Sequence, residues 1–152
     1  MEAPDYNAHF SAYAAAYERS LGQQVDSAAI RAFFAEGFVS AGTNGQVTAG
    51  NNDASFEATL QQGYGFYKAI GTRSLKVTRV QASALYENHD SVQVFYKAGY
   101  EKKDGQSLTI EFDVLYILQR RADGPKIVAF ITGDEMGLYR QHGLVDEQGR
   151  PS

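Results

Sequence analysis

Residues 107–121 read SLTIEFDVLYILQRR. Most of this stretch has the apolar character of a strand running through a core. Two acids interrupt it, Glu111 and Asp113, with Phe112 between them. Side chains alternate along a strand, so both carboxylates point to one face. The preceding turn supplies a register. Lys103-Asp104-Gly105-Gln106 carries the Asp-Gly pair favoured at the centre of a two-residue hairpin. Lys103 is then expected to face Gln106, and the pairs run on as Asp113 with Tyr96, Glu111 with Ala98, Leu115 with Val94 and Ile117 with Val92. Directly opposed residues share a face. One face therefore collects Val92, Val94, Leu115 and Ile117, then Tyr96, Tyr100, Glu111 and Asp113. The reverse face collects Phe95, Phe112, Val114, Tyr116 and Leu118. Helices in so short a chain cover one face only, so Phe95, Phe112, Val114 and Tyr116 are expected to form a homodimer contact. An acid opposite a tyrosine on an apolar face is expected to keep its proton and to donate it in hydrogen bonds. Glu111, nearer the strand end, is expected to be wet and ionised.

Working outward, the period of two begins near Thr72 and continues to Thr132. It predicts four strands at about 73–86, 91–102, 107–119 and 126–132. Turns at Asn88-His89-Asp90, Asp104-Gly105 and Asp123-Gly124-Pro125 divide them. Before Thr72 the pattern is helical. Tyr6, Phe10, Tyr13, Tyr17 and Leu21 recur at spacings of three and four after Pro4-Asp5, with Gly22 at the end. A short helix follows a cap at Asp26 or Ser27 and turns Ile30, Phe33 and Phe34 to the core. FVSAG and residues 46–48 read as brief strands around Thr43-Asn44-Gly45. A third helix runs from Asn52 or Asp53 to about Lys68, where Gly63 and Gly65 predict a kink or a close approach. Asp134 caps a last short helix that Gly143 ends. The prediction is one α+β domain over 1–152, with a core at about 6–143 and a loose tail at 144–152.

Composition narrows the chemistry. The 152 residues include no cysteine, which excludes disulfides, thiolate nucleophiles and cysteine metal sites. The net charge of −4 and the lack of basic runs argue against nucleic acid as a partner. No apolar run approaches the roughly 18 residues of a membrane span. The opening MEAPDYNAHF is acidic and has no apolar signal core, so a cytoplasmic protein is expected. His9, His89 and His142 show no metal spacing, and no cofactor or metal is expected. There is no GxSxG elbow, and GYGFYKAIG lacks the spacing of a nucleotide loop.

Several segments together carry a resemblance. They are the aromatic first helix FSAYAAAYERSL, the short helix DSAAIRAFF, the segment FVSAGTNGQVTAGNNDASF and the meander ending in KIVAFITGDE. In this layout, over about 8–142, the chain resembles the nuclear transport factor 2-like superfamily, with its SnoaL-like polyketide cyclases and ketosteroid isomerases. The resemblance implies a cone: a curved, mostly antiparallel sheet wraps around three N-terminal helices, with a short C-terminal helix beside an apolar cavity. It also implies a SnoaL-like protein that binds a small, mostly apolar molecule. Tyr13, Tyr17, Phe38, Tyr67, Val94, Tyr96, Asp113 and Leu115 are the expected ligand-binding residues. The alternative it implies is an isomerase, cyclase or dehydratase. Tyr17 and Asp113 match the family's oxyanion donors and are the expected catalytic pair. The family's general base falls on Ala41 or Gly42, and neither can take a proton. His142 at the end of the last helix, and Thr132 and Glu135 beside the Asp134 cap, are the other groups expected near the cavity rim.

Overall fold

The computed structural model describes residues 2–152. Four helices are interleaved with six strands: α1 (Tyr6–Ser20), α2 (Ser27–Arg31), β1 (Phe34–Gly42), β2 (Val47–Asn51), α3 (Ala54–Ala69), β3 (Thr72–Tyr86), β4 (His89–Glu101), β5 (Ser107–Gln119), β6 (Lys126–Thr132) and α4 (Glu135–Gln141). Each helix starts at an aspartate whose carboxylate accepts a backbone N–H that the helix leaves unpaired. Asp5 receives Ala8, Asp26 receives Ala29, Asp53 receives Ser55 and Asp134 receives Gly137. The strands make one curved, open, mixed sheet in the order β2-β1-β6-β5-β4-β3. All neighbours are antiparallel except β1 and β6. The fold is α+β, with the helices gathered on the concave side. The most deeply buried side chains, Phe10, Ile30, Val92, Val94, Leu118 and Ile127, come from both layers. Each contributes roughly 1.5–3 kcal/mol by leaving water.

Several expectations are corrected. The first concerns the register. The β4–β5 turn closes on Lys102, whose N–H donates to the Gln106 carbonyl at 2.8 Å. The loop is therefore the three residues Lys103-Asp104-Gly105, one longer than the expected turn. Asp104 Oδ1 accepts the Gln106 N–H at 2.9 Å, and Gly105 takes the left-handed φ of 88° that glycine permits. A slip of one residue moves every side chain to the other face. Asp113 thus opposes Phe95 and Glu111 opposes Lys97, and both acids are exposed on the convex face. Leu115 lies on that face too, opposite Gln93. Phe112, Val114 and Tyr116 point inward, so they do not form the outer surface expected for a dimer; of that set only Phe95 faces outward.

Second, Gly63 and Gly65 sit in an unbroken α3, and a Cβ added at either would meet nothing within 4 Å. The helix runs through both positions, and no close approach is present at either. Phe34, expected on the second helix, instead begins β1, where it pairs with Ile127.

Third, residues 144–152 are not a loose tail. Leu144 and Val145 are buried, Val145 bridges Pro151, and the Ser152 N–H reaches the Leu144 carbonyl at 3.0 Å. Asp146 holds the turn by accepting from Gln148 N and Arg150 N, at 2.9 Å each.

Candidate functional site

Between the helices and the concave face lies a cavity of about 110 Å³. α1 contributes Tyr13 and Tyr17, and α3 contributes Tyr67. The sheet contributes Tyr96 and Tyr100 from β4, Phe112, Val114 and Tyr116 from β5, and Phe130 and Thr132 from β6. Glu135 and Tyr139 of α4 close one side. A second, wider chamber of about 380 Å³ opens next to it, lined by Ser40, Ala41, Gly42, Asn44, Gln46, Gly63 and Asp134 among others. Tyr67, Thr132, Glu135 and Tyr139 belong to both walls. The two spaces therefore share a wall, with the inner lobe on one side and a wider mouth on the other, and Glu135 stands between them.

Seven of the ten tyrosines line the inner lobe. Their rings pack against one another: Tyr17 lies 5.0 Å from Tyr64 and 5.3 Å from Tyr67, and Tyr96 stacks on Phe112 at 5.3 Å. Burial pushes their hydroxyls above the ordinary phenol range, to about 12 for Tyr13 and Tyr100 and further for Tyr17, Tyr96 and Tyr116. They stay protonated and keep a hydrogen to donate. The Tyr96 and Tyr116 hydroxyls are 2.8 Å apart. One of them donates to the other, which leaves a single O–H of the pair to point elsewhere.

Glu135 is the acid of this wall. It is half-buried, and among the described residues no side chain bonds to its carboxylate. Burial raises it to about 7, because the charged form loses water and gains no cation. Its position follows from local structure. Asp134 caps α4, so the next residue begins a helix, and the chain arrives there directly from β6. Thr132, at the end of β6, pairs with Gly42 of β1. Glu135 therefore stands at the same end of the cleft as Ala41 and Gly42, the positions that lack a base. The sequence placed Glu135 and Thr132 near the rim but carried no sign of the burial, which depends on contacts from every layer.

The other expected residues divide cleanly. Tyr13, Tyr17, Tyr67 and Tyr96 line the inner lobe. Phe38 does not; its ring packs beside Phe34 at 4.9 Å and Phe56 at 4.7 Å. Val94 is fully buried and lines neither space. Asp113 and Leu115 are on the convex face, where Gln93 donates to Asp113 Oδ2 at 2.8 Å. Tyr17 and Asp113 thus lie on opposite sides of the sheet and cannot act on one ligand. His142 caps the end of α4 and lines neither space. His9 packs its ring on Phe33 at 5.0 Å and Phe10 at 5.2 Å. His89 is held between the Glu87 carbonyl and Gln119. Among the described residues no cluster of histidine or carboxylate side chains could hold a metal ion. No helix among them is long and apolar enough to cross a membrane.

A second inward acid has a different character. Asp90, at the start of β4, accepts the Tyr6 hydroxyl at 2.6 Å and a two-pronged contact from Arg120 at 2.7 and 2.8 Å. The Arg120 guanidinium holds its carboxyl below the usual range. A satisfied buried ion pair of this kind ties α1 to the sheet.

The comparisons with known proteins agree with this architecture. The family model for NTF2-like protein (DUF6841) matches residues 3–135. The chain belongs to this family. An NTF2-like protein with a cystatin-like fold from Novosphingobium aromaticivorans superposes with a TM-score of 0.65 at 11% identity, covering 90% of this chain and 85% of its own. Aln2 from a Streptomyces species gives 0.64 at 13% identity, covering 93% and 99%. A ketosteroid isomerase-like protein from Erwinia carotovora atroseptica gives 0.55 at 16% identity, covering 85% and 91%. No curated protein sequence matches the chain. At these identities the NTF2-like chain shares a fold with its neighbours and nothing finer.

Proposed function

We propose that this NTF2-like protein binds a small, mostly apolar molecule about one ring wide in the inner lobe, with its polar end at Glu135. The observation that carries this reading is the half-buried Glu135 carboxylate, without a side-chain partner among the described residues, where the aromatic lobe meets the wider chamber. An apolar cavity of roughly 150 Å³ accepts a benzene-sized guest. The inner lobe, at about 110 Å³, is somewhat smaller, so a single ring fills it and extends toward the mouth. Binding follows from area removed from water and from ring contacts. The test is a titration of the protein with 2-phenylethanol, read by NMR chemical shifts of the cavity residues. Shifts centred on Tyr96, Tyr116 and Val114, abolished by filling the lobe with Val114→Phe, are expected. Shifts elsewhere, or none, overturn the reading.

A second reading, an isomerase, cyclase or dehydratase, is favoured by one observation. Glu135 titrates near neutral pH in a site whose Tyr96–Tyr116 pair offers an O–H donor. A base of that strength with a nearby donor suits proton abstraction next to a carbonyl. Deuterium uptake by 2-tetralone in heavy water, faster with wild type than with Glu135→Gln, is the expected result. Equal rates for the two proteins exclude it.

A further inference from the structure

We infer that the natural ligand is a small amine, bound as its ammonium ion beside Glu135 with its ring in the tyrosine-lined lobe. This rests on the proposal that the cleft binds a small ring compound, and adds the charge of that compound.

Three observations meet here. The first is the charge inventory of the cleft. The chain has 14 lysines and arginines and three histidines, yet among the described residues none lines the inner lobe or the mouth. The charged groups lining these walls are both acids, Glu135 and Asp134. Asp134 already accepts the Gly137 N–H at 2.9 Å as the α4 cap, which leaves Glu135 as the free acceptor. A carboxylate, phosphate or sulfate ligand would enter with no cation to meet it and two acids beside it. A cation meets a counter-ion.

The second observation is the composition of the wall around Glu135. Tyr13 from α1, Tyr67 from α3, Tyr96 and Tyr100 from β4, Tyr116 from β5 and Tyr139 from α4 face the same space. Phenol rings attract an organic cation through the negative potential of their faces, worth roughly 0.5–2 kcal/mol per favourable contact. Aromatic walls plus one carboxylate is the chemistry that recognises an ammonium group in an otherwise apolar pocket. These hydroxyls are all raised by burial and bring no charge of their own at neutral pH.

The third is the carboxylate itself. Structural acids inside this protein are paired, as Asp90 is with Arg120 and Tyr6. Glu135 has no such partner, although it stands where a ligand must pass. An ammonium ion placed there supplies the missing charge. It would draw Glu135 into its ionised form, and near neutral pH the carboxyl proton would leave to the buffer while the amine keeps its own.

Three compounds of similar shape test the inference: phenethylamine, 2-phenylethanol and 3-phenylpropionate, which are cationic, neutral and anionic at neutral pH. Calorimetric titration at pH 8 is expected to show phenethylamine binding about tenfold tighter than 2-phenylethanol, with 3-phenylpropionate weakest. Near pH 6.5, phenethylamine binding should release protons, seen as a heat that changes with the ionisation enthalpy of the buffer. 2-Phenylethanol should show no such change. At pH 5.5, and in Glu135→Gln at any pH, the advantage of the amine over 2-phenylethanol should disappear. Glu135→Gln keeps the size of the side chain, and circular dichroism confirms that it is folded. If the alcohol binds in the lobe and the amine binds no tighter, the amine inference is overturned and the cavity reading stands. If the anion binds tightest, or Glu135→Gln keeps the advantage of the amine, the inference is likewise overturned. If none of the three binds, the cavity reading itself falls, and the inference with it.

Discussion

The two faces of β5 alternate along one strand and live in different surroundings. Ile110, Phe112, Val114, Tyr116 and Leu118 look inward, and three of them line the cavity. Glu111, Asp113, Leu115 and Ile117 look outward, the acids exposed and the aliphatics half-buried. Both faces carry aliphatic side chains, but only the inner one is apolar from residue 110 to residue 118, and the outer one holds both acids. Helices cover the side that pairs β5 with Val92, Val94, Tyr96 and Ala98 of β4. The acids then sort by what surrounds them. Asp113 is outside with an amide donor, Asp90 is inside with an arginine and a tyrosine, and Glu135 is inside with neither.

The sharpest way to break this comparison is to put one charge on each face. Val114→Lys buries an ammonium among rings and should cost about 3–5 kcal/mol or prevent folding. Leu115→Lys can reach water and should cost about 1 kcal/mol or less. Urea denaturation of both variants decides it. Equal losses would mean that the faces are assigned wrongly.

Next in size is Asp90→Ala, which strands the Arg120 guanidinium and the Tyr6 hydroxyl. A loss of about 3 kcal/mol is expected at pH 7. Arg120 lowers the folded-state value of Asp90, so the folded protein binds fewer protons there than the unfolded chain. The contribution is complete above the unfolded value near 3.9 and is lost as pH falls through the folded one. The gap between wild type and Asp90→Ala should therefore narrow in acid. A gap that widens in acid would contradict the assignment.

Glu135→Gln should act in the opposite sense. Burial raises Glu135 to about 7, so wild type bears a growing cost as pH climbs from the unfolded value near 4.3 to the folded one. The glutamine variant is expected to match wild type at pH 4 and to exceed it by about 2–3 kcal/mol at pH 8, less than the full separation of 4.3 and 7 would give because water still reaches the half-buried group. Melting curves at the two pH values check this, and a constant difference would refute it.

The smallest effect belongs to Asp113→Asn, which trades one exposed group for another beside Gln93. Less than about 0.5 kcal/mol is expected in urea denaturation. A larger change would return Asp113 to a buried role.

The sequence by itself determined most of the scaffold. Cap residues at or beside Asp5, Asp26, Asp53 and Asp134, an aromatic stripe at helical spacing and a change of period at Thr72 are local signals, and they set where helices and strands lie to within a few residues. The resemblance it carries also made Tyr13 and Tyr17 of α1, Tyr67 of α3 and Tyr96 of β4 visible as candidates for the cavity. Which face of β5 is the inner one was decided only in three dimensions. Alternation has a period of two but no phase of its own, and the phase hangs on whether the turn before Gln106 holds two residues or three. Asp104 and the left-handed Gly105 make it three, and that one residue exchanges Asp113 for Val114 at the cavity wall. Glu135 shows the same limit more plainly. The two residues before it are an exposed glycine and an exposed aspartate, while its loss of water comes from α1, α3, β4 and β5, which converge on it only once the sheet has curved.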